Sequence, residues 1–326
     1  MSSWTELVHS LEPVARDFRP QWFRERQQES LNIISQKRSH RNVVLYASAF
    51  LQKPQIASMS LLVSAEDING FVSVMYGMQW DKGLTLLLHT PGGVINAAET
   101  LVEYLTTKFE EFETIIPTYA MSAGTMLSLA SDRIIMGRQS QLGPIDPQMP
   151  IGHGAVSARA IVDQFDRARE DDLLDLRMAH IWAPILQSLG PGLLQEAQNE
   201  LDYRRQMVAR WLERRMFRSL PNGKETAEAV AEYFSDASTH KSHGRRIGRE
   251  EARSQVRECR GSRNGPGVSG RGPDGLPSRH NRFRADPCHE IAREQSWPNV
   301  AQERVMRTHT TKWSLCCKAH VDGGQV

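Results

Sequence analysis

Cysteine is missing from the first 258 residues of this 326-residue chain; the four present, Cys259, Cys288, Cys316 and Cys317, all fall late. A disulfide framework or a cysteine zinc site in the main body is thereby excluded. The late four show no paired C-x-x-C spacing, so a structural zinc site in the tail is not expected either. Long apolar runs are missing too. Mean hydropathy is −0.47, and no run approaches the ~18–20 residues of a membrane span. Charge of one sign is not in excess: 40 Lys+Arg stand against 38 Asp+Glu, so the basic surface that nucleic acid selects is not expected. There is no Gly-Lys-Ser/Thr phosphate loop and no His-Glu-x-x-His helix, and nothing in the stretch of alternating strand and helix resembles a Gly-x-Gly-x-x-Gly dinucleotide loop. Neither a nucleotide, a metal nor another cofactor is therefore expected. The start, Met1-Ser-Ser-Trp-Thr-Glu-Leu, lacks the basic-then-apolar order of a secretory signal. The expected compartment is the cytoplasm, with peripheral membrane association left open.

What is present falls into three stretches. Residues 1–42 read as a polar, helical N-terminal extension: Trp4, Leu7, Val8 and Leu11 recur at helical spacing, and Pro13 and Pro20 interrupt them. Its basic, Gln-rich part, 24–41, is broken by Glu25 and Glu29, which favours a solvated helix face over a nucleic-acid patch. Residues 43–254 alternate strand and helix. Strands are expected at 43–46, 84–89, 114–120 and 133–136. Ser64-Ala-Glu-Asp67 has the form of a capping box opening a helix with Ile68, Phe71, Val72 and Met75 on one face. Val94, Ala98, Leu101, Val102, Leu105 and Phe109 mark a second helix, and 122–130 a third, of small residues. Strand and helix in that alternation mean an α/β fold with parallel crossovers. Beyond Pro150 the pattern turns helical, over about 157–175, 177–189, 192–218 and 224–235.

Residues 255–326 differ. They hold two Leu and one Ile but ten Arg and eight Gly, too little apolar surface to offset chain entropy. The expectation is a disordered tail, translated out of its ancestral reading frame from about residue 254.

Two segments carry the chemistry. Met121-Ser-Ala-Gly-Thr125 follows a β-rich run and leads into a helix of small residues. A serine at such an elbow projects its hydroxyl from the carboxyl edge of a parallel sheet, where free N–H groups favour developing negative charge. Leu88-His-Thr-Pro-Gly-Gly93 puts a glycine pair at the end of another strand, on the edge where such sheets bind ligands. Each segment taken singly also fits a plain alternative, a serine N-cap and an ordinary β-to-α turn. A third, Leu142-Gly-Pro-Ile-Asp-Pro-Gln148, is a rigid loop about two dozen residues past Ser122.

Taken together, and with Asp132-Arg-Ile-Ile-Met-Gly137 and His240-Lys-Ser-His-Gly-Arg-Arg-Ile-Gly-Arg-Glu-Glu-Ala252, these segments resemble the Clp protease/crotonase superfamily. More narrowly they resemble signal-peptide-peptidase-A-type peptidases and the serine dehydrogenase proteinase (SDH-type) family, over about residues 25–254. The resemblance implies a Clp/crotonase-like spiral of ββα units with an appended helical region. It implies Ser122 as nucleophile, with the backbone N–H of Gly92 or Gly93 and that of Ala123 as the oxyanion hole. It also implies a homo-oligomer, and a protein or peptide as substrate.

The general base is where the likeness is incomplete. Signal-peptide-peptidase-A-type enzymes use lysine, and here no Lys lies between Lys108 and Lys224. In Clp-type enzymes a histidine follows the strand after the nucleophile; Asp146 stands there instead, while the matching acid position falls near His240. One reading is a triad with exchanged positions: Ser122, His240 and Asp146. Lys241 as a desolvated base is another, His153 in a Gly-rich loop a third, and no functional base a fourth. His89 and His180 read as packing or surface histidines. The expected activity is a serine peptidase. A crotonase-type acyl-CoA enzyme and an inactive interaction protein of the same fold are the alternatives.

Overall fold

The computed structural model describes residues 4–56, 58–152 and 154–261. His153, one of the candidate bases, and most of the expected tail, 262–326, lie outside the described residues. The chain divides into two compact units, one made of residues to Leu142 with Gly248–Arg253, the other built on Gly143–Ile247.

The first unit is a four-stranded parallel sheet. Helices α1 (Trp4–Leu11) and α2 (Arg19–Lys37) precede strand β1 (Asn42–Ala47). Helix α3 (Asp67–Met75) connects to β2 (Leu84–His89), and α4 (Ile95–Lys108) to β3 (Phe112–Ile116). After the short β4 (Tyr119–Ala120) come α5 (Ala123–Leu129) and β5 (Arg133–Met136), and the unit closes on β6 (Gln141–Leu142). Order in the main sheet is β1-β2-β3-β5, every pair parallel. A sheet covered on both faces needs strands apolar throughout rather than alternating; Leu84, Leu86, Leu87 and Leu88 are accordingly fully buried. The expected strand at 114–120 is two strands, because Pro117 interrupts it. β3 stays in the main sheet while β4 leaves it to pair in parallel with β6.

Two expected helix faces differ in the structure. On α3, Phe71 and Met75 are buried, with the Tyr46 ring stacked on Phe71 at 5.5 Å, whereas Val72 is 44% exposed. The capping acid works as expected: Asp67 accepts the Ser64 N–H at 2.7 Å. The basic stretch of α2 is not only a solvated face. Leu31 and Ile34 turn inward onto Val43, Leu45 and Leu87.

The second unit begins with an antiparallel hairpin, β7 (Gln148–Ile151) and β8 (Gly154–Ser157), which the sequence pattern does not signal. Helices α6 (Ala158–Leu174), α7 (Ala179–Leu189), α8 (Leu193–Arg214) and α9 (Gly223–Ser235) follow close to the expected bounds, and the short α10 (Ala237–His240) comes after them. Met149, Ala158, Ile161 and Ala197 form one core cluster. Helix α7 buries none of its residues. The last helix, α11 (Arg249–Gly261), carries regular backbone into the first residues of the expected tail. Among the described residues no helix is long and apolar enough to cross a membrane.

One buried ion pair ties α2 to the sheet. The Arg38 guanidinium donates twice to the Glu113 carboxylate, at 2.8 Å through Nε, and the Thr85 hydroxyl donates to the same carboxylate at 2.7 Å. Glu113 is 2% exposed. Burial alone would push its carboxyl up, but the Arg38 hydrogen bonds and charge, with Thr85 and Arg41, hold it below the ordinary carboxylate range. A depressed folded-state value contributes stability above the unfolded carboxylate range and loses it as pH falls through the folded value. Removing one partner strands the other charge, at a cost of about 3–5 kcal/mol. Arg38→Ala should therefore lower the urea-unfolding free energy by roughly that amount at neutral pH, and by less in acid, where Glu113 takes up a proton. A loss that does not shrink at low pH would contradict this account of the pair.

Candidate active site

In the first unit the two glycines and the serine come together at the carboxyl end of β2. Ser122 has φ 50° and ψ −115°. Such a conformation is strained for a residue with a side chain, by about 1–3 kcal/mol, and it is the geometry of a nucleophile held on a sharp strand-to-helix turn. Neighbours over-determine it. Met121 N–H donates to Thr90 O (3.1 Å), Gly124 N–H to Met121 O (2.8 Å) and Met126 N–H to Ser122 O (3.1 Å). Behind the elbow the Thr125 hydroxyl donates to Ala120 O at 2.7 Å. Helix α5 is buried along its whole length, while Ser122 itself is half-buried.

The Gly92-Gly93 turn lies directly against this elbow. A Cβ added to Gly92, whose φ is +109°, would come within 2.7 Å of the Ser122 Cβ and 3.3 Å of the Ala123 nitrogen. A Cβ on Gly93 would meet the Val63 backbone at 2.2 Å. Glycine at both positions is thus what lets the turn sit between Val63 and the serine. The Gly92 N–H donates to the Thr90 hydroxyl at 3.2 Å. The N–H groups of Gly93 and Ala123 find no acceptor among the described residues. Of the two expected donors on the turn, Gly93 is therefore the open one and Gly92 is engaged.

His89, one residue before Thr90, is a packing histidine as expected. The Thr118 hydroxyl lies 2.8 Å from its Nδ1, the Phe50 ring is 5.2 Å away, and burial holds it below the ordinary imidazole range.

The second unit contains Asp146, His240 and Lys241, and here the expected pairing changes. Asp146 is buried (2% exposed) and is bonded to His243, not to His240: His243 Nδ1 to Asp146 Oδ1 is 2.7 Å. The other carboxylate oxygen accepts from Gln148 Nε2 at 2.6 Å. The loop carrying Asp146 is fixed on both sides, Ile145 N–H donating to Phe234 O and Ala158 N–H to Pro147 O, each at 2.9 Å. An imidazole that donates Nδ1–H to a buried carboxylate keeps Nε2 as its acceptor. His243 is 30% exposed along its side chain, and no partner of its Nε2 is found among the described residues.

His240 is committed elsewhere. It is buried at the end of α10, its Nε2 2.7 Å from Tyr233 O and its Nδ1 3.0 Å from the Arg245 guanidinium. A carbonyl only accepts and a guanidinium only donates, so the ring carries its proton on Nε2 and its lone pair is occupied. The reading of His240 as the residue oriented by Asp146 is corrected on that ground. Lys241 follows with φ 62° and an exposed side chain, so the desolvation that a lysine base requires is missing there. His243 stands three residues after His240, and neither its spacing nor its neighbours in the sequence single it out.

Comparison with known proteins agrees with this geometry. A model of ClpP-like SDH-type serine proteinases matches residues 21–192. Two uncharacterised proteins of Methanocaldococcus jannaschii are similar. One is 32% identical over 137 residues, covering 42% of this chain and 44% of that protein. The other is 38% identical over 90 residues, covering 28% and 30%. The chain thus spans less than half the length of these curated relatives. The family match covers more than half of this chain and contains both the Gly92-Gly93 turn and the Ser122 elbow, and the chain belongs to the ClpP-like SDH-type serine proteinase family.

Proposed function

We propose that the protein hydrolyses peptide bonds through an acyl-enzyme on Ser122. The observation that carries this reading is the elbow itself: a half-buried serine at positive φ, against a glycine turn, with two unengaged backbone N–H groups beside it. Ser122 Oγ attacks the scissile carbonyl. The oxyanion that forms is received by the N–H groups of Gly93 and Ala123, each worth about 3–4 kcal/mol in the transition state. The serine proton passes to a general base, which returns it to the leaving amine. Water then attacks the ester, with the same base taking its proton.

Within the second unit, Asp146–His243 is the pair built as an oriented imidazole base, and His240 and Lys241 are not. It has a buried carboxylate to orient the ring and to stabilise the imidazolium, and an accepting Nε2. Neither metal nor nucleotide enters the reaction so drawn.

On labelled unfolded casein, Ser122→Ala should reduce turnover to background while leaving the unfolding midpoint within a few tenths of a molar of wild type, since one hydroxyl is lost. Full turnover in Ser122→Ala would end the reading. His243→Gln should cut kcat by about 10²–10⁴-fold. His240→Ala, by contrast, should lower stability first, because it leaves Tyr233 O and Arg245 without the ring. Turnover unchanged in His243→Gln and abolished in a folded His240→Ala would reverse the assignment.

The expected homo-oligomer has a candidate face. Leu173, Leu174 and Leu176 are each more than 80% exposed, and Ile181 and Ile185 on α7 continue them. Helix α7 has no Asp, Glu, Lys or Arg, and the charges beside it at 169–177 are Arg169 and Arg177 against Glu170, Asp171, Asp172 and Asp175. A net acidic flank gives no attraction to an anionic bilayer, which leaves a second copy as the occupant the expected oligomer calls for. Light scattering should show a multiple of 36.9 kDa, shifting toward 36.9 kDa in Leu174→Glu/Leu176→Glu. A wild-type chain at 36.9 kDa would defeat the claim.

A further inference from the structure

Thr90 is fully buried, and neither the family match nor the catalytic reading gives it a role. Every part of it nevertheless touches one of the two halves of the elbow. Its backbone bridges to Ala120 in parallel register, the Thr90 N–H donating to Tyr119 O at 2.9 Å and the Thr90 carbonyl accepting from Met121 N–H at 3.1 Å. Its methyl packs on Gly124, where an added Cβ would come within 2.5 Å of Thr90 Cγ2. Its hydroxyl accepts the Gly92 N–H at 3.2 Å and lies 3.4 Å from the Gly92 carbonyl oxygen.

The hydroxyl has a geometric consequence one residue further on. The Gly92 carbonyl also accepts from Val63 N–H at 2.8 Å, and Val94 N–H donates to Val63 O at 2.8 Å. A trans peptide is planar, with its C=O and N–H pointing to opposite sides. Fixing the Gly92 carbonyl toward Val63 therefore fixes the Gly93 N–H away from Val63, where it stays open. Glycine alone would not hold that plane, because a Gly-Gly pair is the most freely rotating dipeptide in the chain. Taking up the Gly92 N–H also removes a competing donor from the same turn.

We infer that Thr90 is a positioning residue for the oxyanion hole: its hydroxyl, set between the Gly92 N–H and the Gly92 carbonyl that Val63 N–H also holds, helps fix the turn so that the Gly92–Gly93 peptide presents its N–H beside the Ser122 elbow. The inference rests on the serine-peptidase reading. It names a residue that touches neither substrate nor reacting atoms and acts through the Gly93 N–H.

Thr90→Val keeps the shape and the methyl contact but removes the acceptor. In the full chain it should lower kcat on labelled casein by about 10–100-fold, the scale of a displaced oxyanion donor, with KM within about two-fold of wild type. Its rate of phosphonylation by a fluorophosphonate probe, whose adduct also needs the oxyanion donors, should fall in parallel. Thr90→Ser restores the hydroxyl and should recover most of both rates. If Thr90→Val does not fold, Thr90→Ser and Thr90→Cys, which differ only in oxygen for sulfur, make the same comparison, with Cys slow and Ser fast. Wild-type labelling at the same rate in Thr90→Val or Thr90→Cys would overturn the inference while leaving the nucleophile standing. Equal slowing in Thr90→Ser would assign the loss to packing and overturn it as well. A folded wild-type chain that is not labelled at all would sink the catalytic reading and this inference with it.

Discussion

A serine at φ 50° and ψ −115° is a conformation that the first unit has to impose, and much of its architecture is explained by that requirement. The elbow needs a strand arriving at the sheet edge, a helix leaving at once, and a neighbour close enough to block relaxation. The strand is β4, turned out of the main sheet at Pro117. The helix is α5, buried from end to end and without a charged residue. The neighbour is the Gly92-Gly93 turn, which approaches only because neither position carries a Cβ. A side chain at either position would have to displace backbone, that of Val63 on one side or of the serine elbow on the other.

The second unit is built on another constraint, the satisfaction of one buried carboxylate. Asp146 has a partner at each oxygen, His243 and Gln148, and its loop is tied to α9 and to the first turn of α6. A buried carboxylate left with a free oxygen would be costly; with both engaged it becomes a rigid orienting group. His240, a few residues away, does a different job. It closes the end of α10 between Tyr233 O and Arg245, so its burial, which by itself attracts attention to a histidine, reflects packing.

How far the sequence was readable follows from which forces are local. The long elements were legible because their apolar spacing is strong: Leu84–His89 and Arg133–Met136 appear as strands with the expected bounds, and α4 buries Ala98, Leu101, Val102 and Leu105 as its spacing requires. The β7–β8 hairpin was not legible, since Met149, Pro150 and Val156 give four-residue strands no alternation to display. Val72 was misjudged because a helical stripe indicates a face without indicating its width. Ser122, Gly92, Gly93 and Ala123 were legible because each carries a backbone requirement that glycine, serine or a small residue signals. The partner of Asp146 was not, because His240 and His243 are separated by less than one helical turn. Partners distant in sequence separate them: His240 is held at the end of α10 by Tyr233 O and Arg245, and His243, past that end, meets Asp146.

The whole reading depends on one atom, the Ser122 hydroxyl, being a nucleophile and not a helix cap. The structure gives it no capping bond. Fluorophosphonate treatment of the full chain, followed by proteolysis and mass mapping, asks that question directly. The account predicts a single stoichiometric adduct on the peptide containing Ser122, lost when the chain is first unfolded. An adduct on another serine, or none on a chain shown to be folded, would contradict it.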